Sequence, residues 1–91
     1  MKLIDAIGNL ESLVETSTIY AVPPWTCHSE VVVAPEPDDG QLPASARGLN
    51  ARYFLEVFVA AEFLSDWKSS VGDQPLEEQC RRLIAYAETD A

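Results

Sequence analysis

The period of the apolar residues changes twice along this 91-residue chain, and that change dictates the class of fold. From Lys2 to about Val14, the residues Leu3, Ile4, Ile7, Leu10, Leu13 and Val14 recur at helical spacing, with Asp5, Asn9, Glu11 and Glu15 on the opposite side. Gly8 costs such a helix about 1 kcal/mol relative to alanine, so docking must hold it. From Thr18 to Phe58 the apolar residues come instead in short β-branched and aromatic runs. Beyond Ala60 the helical period returns. Helical stripes at both ends with strand runs between them require helices folded against a sheet.

Thr18-Ile19-Tyr20-Ala21-Val22 is the first strand run, stopped by Pro23-Pro24. The second extends from Trp25 to Ala34 and ends in Val31-Val32-Val33-Ala34, a continuous apolar run that predicts a strand covered on both faces near its end. The third is Ala51 to Phe58, with Tyr53, Leu55 and Val57 on one face and Phe54, Glu56 and Phe58 on the other. Pro35-Glu36-Pro37-Asp38-Asp39-Gly40 has no apolar side chain outside its prolines and opens a surface loop to Asn50. That loop is expected to hold one helical turn around Pro43-Ala44-Ser45-Ala46 and a positive φ at Gly48 or Asn50. Ala60, Phe63, Leu64, Trp67 and Val71 then form a helical stripe that Gly72 ends. Asp73-Gln74-Pro75 starts a last helix carrying Leu76, Cys80, Leu83, Ile84 and Ala87, with i, i+4 pairs Glu77–Arg81 and Glu78–Arg82. The expected structure is one α+β domain over residues 1–91, in the order α-β-β-β-α-α. Its three-stranded sheet is mainly antiparallel, with helices packed on one face.

Charge narrows the range of partners. The net charge is −9, and between Lys2 and Arg47 there is no lysine or arginine, while Asp5, Glu11, Glu15, Glu30, Glu36, Asp38 and Asp39 all fall in that stretch. Such a field repels nucleic acid and anionic membrane and attracts basic proteins. A DNA mimic would show still denser acid patterning. No apolar run reaches the ~20 residues needed to span a bilayer. Asp5 and Glu11 interrupt any signal-peptide core. The expected location is the cytoplasm.

No catalytic, cofactor or metal set is expected. His28 is the sole histidine, and on a strand it would point away from the adjacent Cys27, which therefore lacks a base. Two cysteines far apart and one histidine match no zinc spacing. The Glu36–Gly40 loop lacks the alternating carboxylates of a calcium loop. Phosphate-binding glycine patterns are absent. Cys27 and Cys80 read as free buried thiols, though pairing stays open. Trp25, beside Pro23-Pro24, is either a core residue or an interface anchor flanked by acids.

Leu3…Ile7…Leu10, Ile19-Tyr20, Trp25, Val31-Val32-Val33 with Asp38-Asp39, Pro43-Ala44, Gly48-Leu49, Tyr53-Phe54-Leu55-Glu56 and Tyr86-Ala87…Asp90-Ala91 form a pattern spanning nearly the whole chain. It resembles a family of small, uncharacterised bacterial domains, some of which resemble immunity proteins of toxin systems. The resemblance implies the α+β order and a bacterial origin, and it brings no catalytic residues. The expected function is a non-enzymatic, acidic protein-interaction domain that binds a basic partner, with immunity or inhibition as its sharpest form. Trp25, Glu36, Asp38 and Asp39 are the expected partner contacts. Two rival expectations are a small-molecule module or enzyme with a pocket near Tyr20, Tyr53 or Trp25, and a homo-oligomer covering a sheet edge.

Overall fold

The structure is a computed structural model that describes residues 1–90; Ala91, the last residue of the C-terminal motif, lies outside the described residues. Three antiparallel strands, β1 (Thr18–Ala21), β2 (Val31–Ala34) and β3 (Arg52–Glu56), form a sheet in the order β2-β1-β3. Four helices accompany it: α1 (Leu3–Gly8), α2 (Ala44–Gly48), α3 (Val57–Val71) and α4 (Leu76–Asp90). This is the α+β architecture expected from the periodicity, with the helical turn of the long loop realised as α2.

The centre of the sheet is β1, whose four residues are all buried, because strands on both sides and side chains on both faces cover it. Ile19 and Ala21 point into the main core with Leu3, Phe54, Leu64 and Leu83. Tyr20 points the other way, into a smaller cluster with Ala46 and Ala51 under α2. The larger helices therefore occupy one face, and the 35–51 segment covers part of the other.

Four sequence expectations are corrected. The Val31–Ala34 run is an edge strand with only Val31 buried, so the doubly covered strand is β1. Trp25–Ser29 is not strand but a turn, in which Ser29 Oγ accepts from Thr26 N at 2.9 Å and Ser29 N donates to Thr26 O at 3.1 Å. Only Glu30 continues as a bridge, to Lys2. The first helix stops at Gly8 and continues as a 3-10 turn over Leu10–Ser12, which rotates Val14 out of the stripe and leaves it 66% exposed. Finally, β3 carries a bulge: Tyr20 pairs with Tyr53 and Ile19 with Leu55, so Phe54 is extra and both Phe54 and Leu55 are buried.

The chain turns where its residues permit. Asn50 takes φ 59° after α2, and Gly72 takes φ 81° at the end of α3, where its N–H donates to Lys68 O at 2.7 Å. Gly8 lets α1 approach α4 closely, since a Cβ there would lie 3.0 Å from Leu76 Cδ2. Phe63 on α3 stacks on Tyr86 of α4 with ring centroids 4.3 Å apart. On α4, Arg81 pairs with both Glu77 and Glu78, in place of the expected Glu78–Arg82 pair.

Candidate functional site

The four residues expected to contact a partner do not form one patch. Glu36, Asp38 and Asp39 are exposed on the loop that runs from the end of β2 toward α2. Asp39 Oδ1 accepts from Gln41 N at 3.0 Å and Gly40 N donates to Pro37 O at 3.0 Å, a tight turn that presents the carboxylates to solvent. Trp25 is on the other side of the sheet. Its ring meets Phe54 edge-on at 4.9 Å and its indole N–H donates to Ala21 O at 3.1 Å. It is half-buried against the main core and bound to it on two sides.

The aromatic residues expected to line a small-molecule pocket do not converge either. Tyr20 is buried under α2, Tyr53 is 43% exposed on β3, and Trp25 borders a cleft beside α4. Cys27 and His28 lie on the 26–29 turn and not on a strand. His28 is exposed, while the Cys27 thiol donates to Glu77 O on α4 at 3.9 Å. No group of three or more potential ligand side chains is gathered for a metal among the described residues.

The arrangement that stands out was not expected from the sequence. The backbone of the 13–17 segment is fastened to the start of α3: Val57 N donates to Ser17 O at 2.9 Å and Phe58 N to Glu15 O at 3.2 Å. These bonds satisfy two of the amides that a helix start leaves unpaired. Between the two segments lies an open groove of about 500 Å³. Leu13, Phe58 and Ala61 line it together with the acids Glu11, Glu15 and Glu62, and no base lines it. Phe58 is 46% exposed, and Val14 adjoins Leu13 in sequence with two-thirds of its surface in water. Through Leu10, Glu11 and Ala61 the groove continues into a wider one along α3, of about 800 Å³, which Lys68 and Leu76 also line.

Separate causes bring the groove residues together. The helix break after Gly8 and the 3-10 turn that follows leave Leu13 extended, and the early start of α3 at Val57 places Phe58 on a helix instead of a strand. The clue in the sequence is the Gly8-Asn9 pair, a helix-stop signal inside an apolar stripe. Glu15 sits beside the α3 N-terminus, where the helix dipole favours negative charge, and Glu62 lies in the second turn of α3.

No protein-family model matches the chain, and searches of curated proteins and of solved structures return no match.

Proposed function

We propose that this chain is a non-enzymatic interaction domain whose acidic surface binds a basic protein, with the α3 groove as its main contact. The observation that carries the reading is the pairing of the exposed Phe58, with Leu13 beside it in the groove, with a rim of Glu11, Glu15 and Glu62 and no compensating base. An apolar floor with a charged rim is the general layout of protein–protein contact sites, and complementary charge speeds encounter. The fitting partner segment presents an apolar side chain flanked by Lys or Arg. The loop acids Glu36, Asp38 and Asp39 add long-range attraction from another side of the domain. The sharpest form of the proposal is neutralisation of a basic toxin in a bacterial cytoplasm. No helix among the described residues is long and apolar enough to cross a membrane.

A labelled synthetic peptide of alternating Lys and Leu blocks tests the site, with an all-Lys peptide of equal charge as comparison. The Leu-containing peptide should bind more tightly, and Phe58→Ser should abolish that preference without changing the protein's charge. The triple change Glu11→Gln, Glu15→Gln, Glu62→Gln should weaken binding about tenfold at low salt, and neutralising Glu36, Asp38 and Asp39 should weaken it less. Equal binding of both peptides, or a larger loss from the loop variant, would refute the groove.

A further inference from the structure

Cys27 and Cys80 lie 53 residues apart in sequence, and the fold brings them to the junction of the 26–29 turn with α4. The turn is held in place by Ile4 N, which donates to Cys27 O at 3.0 Å, and by the Ser29 bonds to Thr26. From there the Cys27 thiol reaches the Glu77 carbonyl of α4 at 3.9 Å. Cys80 lies one turn further along the same face of α4, in the core against which Cys27 packs, and near enough for the Cys27 thiol to act on its titration. Both are free. Their accessibilities differ: Cys80 is fully buried, whereas Cys27 is partly exposed and lines an open cleft of about 440 Å³ beside Trp25, His28 and Arg81. Neither belongs to the α3 groove.

We propose that Cys27 and Cys80 form a reversible thiol–disulfide pair that small-molecule disulfides oxidise through the cleft, clamping the 26–29 turn to α4. The Cys27 thiolate attacks one sulfur of a disulfide such as glutathione disulfide. The S–S bond of the reagent breaks, one glutathione leaves and takes up a proton, and a mixed disulfide remains on Cys27. The Cys80 thiol then gives its proton to solvent and attacks the Cys27 sulfur, releasing the second glutathione. Two protein thiols are oxidised and one glutathione disulfide is reduced to two glutathione molecules.

The division of roles follows from burial. Cys80 is out of reach of any solute, so it reacts only with a partner delivered next to it. Burial, reinforced by the Cys27 contact and opposed by Arg81, holds its thiol protonated well above the ordinary range. The second step is therefore the slower one and accelerates as pH rises. Side chains that pack into the same part of the core, with Cys27 already bonded to α4 one turn before Cys80, need only local movement to reach disulfide geometry.

The test is the mass of the native protein after incubation with glutathione disulfide, acid quenching and alkylation. The expected product is a monomer lighter by two hydrogens that takes up no alkylating agent, melts at least about 5 °C higher, and reverts with dithiothreitol. Cys80→Ser should stop at one glutathionyl group on Cys27. If that variant does not fold, the wild-type mass decides alone. A stable glutathionyl adduct on the wild-type protein, or two thiols that stay alkylatable while the urea-unfolded chain is oxidised, would overturn the proposal.

Discussion

At the residue scale, two buried polar side chains govern how the domain responds to change. The Tyr20 hydroxyl is buried and makes no hydrogen bond of good geometry, although the Thr18 hydroxyl lies close enough to favour its ionised form. Burial raises its pKa, the Glu36 carboxylate pushes the same way, and the Thr18 hydroxyl opposes them. Leaving a buried hydroxyl unpaired costs about 1–3 kcal/mol, so Tyr20→Phe should stabilise the domain by about 1 kcal/mol. A urea midpoint lower than that of the wild type would show that the hydroxyl is paired in solution. Cys80 sets the alkaline limit. Its pKa is raised in the folded state, so the unfolded chain releases the thiol proton first, near the ordinary value of 9.0. Stability is thus fully present below that value and falls as pH rises above it, by about 1.4 kcal/mol per pH unit for one proton. Tyr20 adds to the slope above its own ordinary value of 10.0. Urea titrations across this range should show the decline, and Cys80→Ala should flatten its first part. An unchanged slope in that variant would move the effect to another group.

At the element scale, the helical stripes were the most legible part of the chain. Their period survives in α3 and α4, where Ala60, Leu64, Cys80, Leu83 and Ala87 are buried as the spacing requires. The strands were placed correctly in order but not in extent. Alternation on Trp25–Ser29 came from a turn whose bonds run through Ser29 and Thr26, and a bulge at Phe54 cannot be seen in any local pattern. Apolar continuity also misled, because Val31-Val32-Val33-Ala34 is an edge strand. The groove was missed for a related reason: it depends on where α1 ends and α3 begins, and one residue of shift redirects a side chain by about 100° on a helix. That break is testable. Leu10→Ala should cost about 2–4 kcal/mol, since Leu10 is buried, whereas Val14→Ser should change stability by less than about 0.5 kcal/mol. Comparable losses at both positions would mean that the first helix continues to Val14.

At the scale of the whole molecule, charge and sheet edges determine what the domain can meet. On its outer side β3 has no further strand, but the Phe54 bulge and the charged Arg52 and Glu56 protect that edge against pairing with another copy. Near β2, the bridge of Lys2 to Glu30 and the bond from Val31 N to Met1 O, at 2.8 Å, extend the pairing past the strand. The N-terminus covers only the start of the β2 edge, and the acidic surface is the other large feature open to a partner. Its ion pairs, the Met1 amino group and Lys2 with Glu30 and Arg81 with Glu77 and Glu78, are exposed, so each contributes little. Among the described residues most of the acids have no such partner, and their mutual repulsion opposes the compact state. Raising sodium chloride from about 10 mM to about 150 mM shortens the Debye length from about 30 Å to about 8 Å and screens that repulsion. Stability in urea, which adds no ions of its own, should therefore rise by on the order of 0.5–1 kcal/mol over this range. The same salt should weaken capture of a cationic peptide, so folding and binding should respond in opposite directions. A urea midpoint that falls with salt would mean that the few ion pairs outweigh the field, and the acidic surface would then be a source of stability as well as of attraction.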